Sequence, residues 1–240
     1  MAEGIKVVGE ALAAGAPVEC LFVDANAAAS ARAGGELARV LDNATAAGIR
    51  TFPLEAGVLD RVTSTVTPQP VLALVRYIDV PLASLEGASL IVVGVDLRDP
   101  GNAGAVLRSA EAAGAGGVVC CDGSVDLFNP KAVRASAGSL FFVPVVLGGE
   151  PVAVLETIGG WGIRRLGAVA RGGKDYTAVD LTGPVALVVG NEAHGLPPEA
   201  EALLDDRITV PLSGRSESLN VGMATAVLCF EAARQRRSGA

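Results

Sequence analysis

Three polar clusters each follow an apolar run. "RDPGNAGAVLRSA", residues 98–110, sets Asn102 and Arg108 six positions apart. "GNEAHGLP", residues 190–197, places Asn191, Glu192 and the chain's only histidine, His194, between Gly190 and Gly195. "VPLSGRSESLN", residues 210–220, carries Ser218 and Asn220. The two glycines permit a tight turn and close approach of a ligand to backbone. A carboxylate and an imidazole beside them could polarise or deprotonate that ligand, although a lone histidine is also an ordinary loop residue. The four cysteines, Cys20, Cys120, Cys121 and Cys229, show no metal or redox spacing, so no metal is expected. Three polar loops after three strands can converge on one pocket.

Each residue also has a plainer reading. Asn102 is well placed to cap a helix after the Pro100-Gly101 turn. Arg108 could be a surface arginine paired with Glu111 three residues on. Ser218 could be an N-cap, whereas Asn220 has no such ready reason, because asparagine is a mediocre helix former. Leu219, Met223, Ala226, Val227, Phe230 and Ala233 recur at helical spacing and read as core. "GNAG" lacks the dinucleotide-loop spacing.

The elements that would hold these loops alternate along the chain, which argues for an α/β protein. Residues 3–76 read as helix, strand, helix, strand, short helix, strand, with the clearest strands at 18–25 and 71–77. Residues 78–89 read as a linker. Further strands are expected at residues 90–97 and in "GVVCC", "FFVPVV", "IRRLGAVA", "VALVVG" and "RITVPL". Their continuous apolarity suits a parallel sheet covered on both faces, with ligands outside the carboxyl ends of the strands. Half of the 240 residues are hydrophobic, enough to bury a core. No apolar run approaches the ~20 residues that span a bilayer, and the first residues carry no signal-peptide pattern. A cytoplasmic protein with reduced cysteines is expected. The net charge of −7 is poor for nucleic-acid binding overall. Local basic groups remain: Lys131 with Arg134, Arg164 with Arg165, Arg171 with Lys174, and "RQRR" at 234–237.

Taken together, the three clusters resemble the motifs of the SpoU family of RNA 2′-O-ribose methyltransferases, of the SPOUT class. "NAGAVLRSA", "VVGNEAHGLP" and "VPLSGRSESLNVGMATAVLCFEAARQ" occur in the family's order and spacing. The likeness covers roughly residues 90–236. Residues 1–78 more weakly resemble the small αβα substrate-binding domain that precedes the catalytic domain in many members, through "EGIKVVGEAL" and "TPQPVLALV". Members usually have basic residues and a strand ahead of the Glu-Gly pair, where this chain has two residues, and often Gly where it has Pro70.

The resemblance implies a substrate-binding domain at 1–78, a linker at 79–89 and a trefoil-knotted parallel-sheet methyltransferase domain at 90–240. It implies S-adenosylmethionine as cofactor, S-adenosylhomocysteine as product, no metal, an RNA substrate and a homodimer with the site near its interface. It assigns Asn102, Arg108, Glu192, Ser218 and Asn220 to catalysis. It assigns Gly190, Asn191, Gly195, Val210, Leu212, Ser218 and Leu219 to the cofactor. Ribosomal RNA is the expected substrate from the two-domain layout. A transfer-RNA methyltransferase and a noncatalytic RNA-binding protein on the same fold are the alternatives.

Overall fold

The structure is a computed structural model that describes residues 1–63 and 68–238. Thr67, which opens the "TPQP" stretch, lies outside the described residues. The first unit begins with β1 (Ala2–Glu3), α1 (Ile5–Ala13), β2 (Val18–Asp24), α2 (Ala25–Ser30) and α3 (Glu36–Ala46). It continues with β3 (Arg50–Leu54), α4 (Leu59–Val62) and β4 (Val71–Val75). Its sheet runs β1-β4-β2-β3, with only β2 and β3 parallel. Where a departure from the family's N-terminal strand was expected, the two residues of β1 do pair, Ala2 with Ala73 and Glu3 with Leu72. Val7, Val8 and Ala11 of α1 and Leu37, Val40 and Ala44 of α3 are buried, with Leu21, Val23, Val71 and Ala73 from the sheet.

The second unit carries β5 (Leu90–Gly94), α5 (Pro100–Ala112), β6 (Gly117–Cys120), α6 (Pro130–Ser136), β7 (Val145–Leu147) and α7 (Pro151–Gly160). Then come β8 (Arg164–Ala168), β9 (Lys174–Asp175), β10 (Val185–Val189), α8 (Pro198–Glu201), β11 (Asp206–Thr209) and α9 (Val221–Ser238). The sheet order is β7-β6-β5-β10-β8-β11-β9, and every pair is parallel. All five residues of β5 and of β10 are buried. Alternate residues feed two cores: Leu90, Val92 and Leu187 on one face, Ile91, Val93 and Val188 on the other. Continuous apolarity therefore does mark strands covered on both sides.

Helices α5, α6 and α7 each start with a side-chain cap followed by proline at the first helical position: Asp99-Pro100, Asn129-Pro130 and Glu150-Pro151. Proline lacks an N–H that would be unpaired there anyway, and the cap satisfies the next ones. Helix α9 crosses α5 closely: a Cβ on Gly222 would stand 2.7 Å from the Ala105 methyl.

One sequence expectation changes. "FFVPVV" yields strand only from Val145, because Phe141 ends a 3-10 turn and Phe142 is exposed. β9, not expected, is two residues long and too short to leave a periodic signal. In residues 78–89 Leu85 of a 3-10 turn is buried, and Val80 N donates to Val145 O at 2.8 Å. The two units meet where Arg134 of α6 pairs with the buried Glu3 at 3.1 Å and Tyr77 packs edge-on against Phe128.

Candidate active site

The loops leaving β8, β10 and β11 enclose a cleft of about 520 Å3. Small-molecule sites run roughly 300–1,000 Å3. Gly190 to Leu196 form one wall and Val210, Leu212, Ser218 and Leu219 the other. Asn191 N donates to Gly195 O at 3.0 Å, and Gly195 N returns a bond to Asn191 O at 2.8 Å. Gly195 has φ of +71°, a left-handed conformation that favours glycine. A Cβ on Gly190 would sit 2.5 Å from the Gly195 carbonyl oxygen. The sequence reading reserved that space for a ligand; the loop's own return strand fills it. Gly190→Val would therefore break the loop before it met a ligand.

Asn191 is more committed than expected. Its amide donates to the Asp96 carboxylate at 3.0 Å and the Asp96 carbonyl at 3.1 Å. Its Oδ1 accepts from Ala193 N and His194 N. The side chain thus ties the β10 loop to the β5 loop and leaves only its backbone to the cleft. Asp96 holds a left-handed φ of +56°, uncommon outside glycine. The sequence reading missed Asp96, and nothing in its position along the chain distinguishes it from a turn aspartate.

The three clusters do converge. Asn102 Nδ2 donates to Glu192 Oε1, and Asn220 Nδ2 donates to Asn102 Oδ1 at 2.8 Å. One relay therefore links the start of α5, the loop after β10 and the start of α9. Asn102 does not cap α5: Asp99 does, accepting from Asn102 N at 2.8 Å. Asn220 proves to be the cap of α9, with Oδ1 accepting from Gly222 N and Met223 N at 3.0 and 3.3 Å. Its two ends thus do two jobs, and Ser218, exposed on the cleft wall, caps nothing.

Arg108 stands apart. It is exposed on α5, six residues from Asn102, about 9 Å along the axis. It lines a separate groove of about 400 Å3 with Lys6 and Glu10 of α1, not the cleft. The expected pair with Glu111 is absent among the described ion pairs; Glu111 accepts from Ser139 instead.

Most basic candidates are engaged internally. Arg165 grips Asp205 with two nitrogens, Lys174 pairs with Asp206, and Arg234 with Glu231. Arg236 donates to the carbonyls of Ser89, Leu181 and Gly183. At the cleft mouth Arg171 approaches Glu217 at 3.8 Å, an exposed and weak pair. Burial pushes the thiols of Cys121 and Cys229 up to about 12 and Cys120 up to about 11, so none is a nucleophile near neutral pH. Among the described residues no group of His, Cys, Asp and Glu could hold a metal, and no helix is long and apolar enough to cross a membrane.

A parallel sheet covered on both faces, with a polar relay and a glycine-rimmed cleft at its carboxyl edge, defines an α/β ligand-binding domain behind a smaller unit. Residues 89–230 match the model of the SpoU rRNA Methylase family, and residues 1–73 that of an MRM3-like substrate binding domain. The chain belongs to the SpoU rRNA methylase family. It is 35% identical over 183 residues to the 23S rRNA (guanosine(2553)-2′-O)-methyltransferase RlmP of Bacillus subtilis, covering 76% of this chain and 72% of that one. It is 34% identical over 204 residues to the 23S rRNA (guanosine-2′-O-)-methyltransferase RlmB of Ralstonia nicotianae, covering 82% and 81%. Among solved structures it is similar to the SpoU methyltransferase AviRb from Streptomyces viridochromogenes in complex with the cofactor AdoMet. That likeness has a TM-score of 0.86 and 28% identity, covering 99% of this chain and 90% of that one.

Proposed function

We propose that the chain methylates the 2′-hydroxyl of a ribose in ribosomal RNA with S-adenosylmethionine. The observation that carries this reading is the Asn220–Asn102–Glu192 relay at the rim of the cleft. The cleft suits the cofactor. Residues 211–219 make no backbone–backbone hydrogen bond among the described residues, so their N–H and C=O groups are open to read a base edge. Val210, Leu212 and Leu219 supply half-buried apolar surface beside them. Gly190, Asn191 and Gly195 present backbone from the opposite wall.

When bound, S-adenosylmethionine would supply an electrophilic sulfonium methyl to the ribose oxygen and depart as S-adenosylhomocysteine. The residues align the hydroxyl for that in-line displacement. Glu192 keeps its second carboxylate oxygen free of hydrogen bonds among the described residues, and this oxygen would accept the hydrogen bond and then the proton of the ribose hydroxyl. Asn102 and Asn220 hold Glu192 in place, and Ser218 lines the same cleft. Arg108 carries donors and no acceptor, so it serves as a cation and not as the base. It binds the target phosphate through its fork.

Arg108 lies outside its own cleft, so we place it at the cleft of a second copy in a homodimer. Met223 and Phe230 of α9 are 60% and 46% exposed, contrary to the core assignment from periodicity, and supply apolar surface for that interface. The layout is a substrate-binding domain at 1–78, a linker at 79–89 and a catalytic domain at 90–240 whose C-terminal segment threads a trefoil knot. The protein acts in the cytoplasm. Calorimetry tests the cofactor: S-adenosylmethionine should bind, and adenosine triphosphate and nicotinamide dinucleotide should not. Equal or tighter binding of either nucleotide would overturn the assignment.

A further inference from the structure

The chain has nine aromatic side chains, one Trp, two Tyr and six Phe. Three of them, Tyr77, Phe128 and Phe141, converge on one cavity of about 160 Å3 between the two units. Val133 and Leu140, both buried, form part of its lining, and Arg76 stands beside Tyr77. A cavity of ~150 Å3 has room for one aromatic ring such as benzene. Tyr77 is 74% exposed, the largest exposure among the big hydrophobic side chains of the described residues. It meets Phe128 edge-on, with centroids 5.0 Å apart and planes at 68°. A tyrosine kept only to fill the seam would be buried in it.

The cavity's place matters as much as its lining. Phe128 lies on the loop between β6 and α6, which leaves the same carboxyl edge as the loops carrying Asn102 and Glu192. β6 is the direct neighbour of β5 in the sheet. Tyr77 follows directly on the first unit's last strand. The loop carrying Phe128 and the loop carrying Asn102 thus leave neighbouring strands at one sheet edge.

Net charge alone does not hold an RNA strand. The net charge is −7, and Arg134, Arg165, Lys174, Arg234 and Arg236 are all bonded within the fold. Stacking of bases on aromatic rings is the other general source of affinity for single strands, and it tolerates sequence. We propose that the Tyr77–Phe128–Phe141 cavity takes one unpaired nucleobase of the RNA substrate, stacked on Tyr77, with Arg76 at its phosphate. This rests on the reading of the chain as an RNA methyltransferase and adds a base-binding site to it.

Fluorescence anisotropy with two labelled probes tests it: a short oligoadenylate, and a ribose-phosphate chain of the same length without bases. Both carry the same charge, so the ratio of their affinities reports stacking alone. Wild type should prefer the oligoadenylate by about tenfold, within the range for one base on one aromatic ring. Tyr77→Leu keeps apolar bulk at the seam and should cut that ratio by about threefold or more, whereas Tyr77→Phe should keep it. Phe128→Leu should lower it in the same way through the cavity wall. A ratio near one in wild type, or one that changes by less than about threefold in Tyr77→Leu, would overturn the site. Cofactor calorimetry and methyl transfer to ribosomal RNA do not enter that ratio, so failure of the cavity and failure of the methyltransferase reading are separately visible.

Discussion

Asn220 shows how one residue can serve a helix and a site at once. Its oxygen caps α9 and its nitrogen holds Asn102. Asn220→Ala should lose both, with the cap alone costing about 1 kcal/mol. Asn220→Ser restores a capping oxygen but offers no amide to Asn102. Thermal unfolding should therefore recover in the serine variant while methyl transfer stays low; recovery of both would reduce Asn220 to a cap. Arg108 poses the opposite case, a side chain with no ion-pair partner among the described residues. Arg108→Ala should change stability by less than about 0.5 kcal/mol and leave cofactor binding intact, yet abolish single-turnover transfer. Arg108→Lys keeps charge without the fork and should rescue poorly. Wild-type rates in the alanine variant would return Arg108 to an ordinary surface residue. The residue types at the relay were legible from the sequence, but their local duties were not. "DPGN" offers two capping side chains, and proline at the first helical position selects Asp99 over Asn102. The Asp96–Asn191 tie was invisible, because it joins residues 95 apart through a loop conformation that no spacing announces.

At the scale of elements, α9 carries most of what periodicity could and could not tell. The apolar stripe correctly marked a helix. It chose the wrong face: Val221, Leu228, Cys229 and Ala232 are buried, whereas Met223 and Phe230 are exposed, because spacing defines a face and not what covers it. The strands of the second sheet were legible for the reverse reason: burial on both faces leaves continuous apolar runs that turns interrupt. The far end of α9 is pinned by charge. Hydrogen bonds from Arg234 hold the Glu231 carboxyl down at about 2, against an ordinary 4.5, and Gln235 adds a further bond. A depressed carboxyl contributes stability that is complete above about 4.5 and lost as pH falls toward about 2. Glu231→Gln should flatten the fall of the urea midpoint across that window. An unchanged slope would mean that other carboxylates set the acid sensitivity.

The whole molecule joins a small mixed sheet to a large parallel one through Glu3–Arg134 and Tyr77–Phe128. Neither contact was legible, since each pairs residues from different units. Assembly belongs to this scale too. If Arg108 completes the cleft of a partner, active protein should sediment as a dimer at micromolar concentration, and Met223→Glu with Phe230→Glu should give a folded, inactive monomer. A fully active monomer would contradict the shared site. A methyl group should pass from the cofactor to a ribose oxygen of ribosomal RNA. The most direct measurement incubates the protein with methyl-labelled S-adenosylmethionine and ribosomal RNA from cells lacking its gene, then digests the RNA to nucleosides. The expected result is label in a 2′-O-methylated nucleoside, lost with Arg108→Ala. Label on a base, or none in ribosomal RNA while the protein is folded and binds the cofactor, would contradict it.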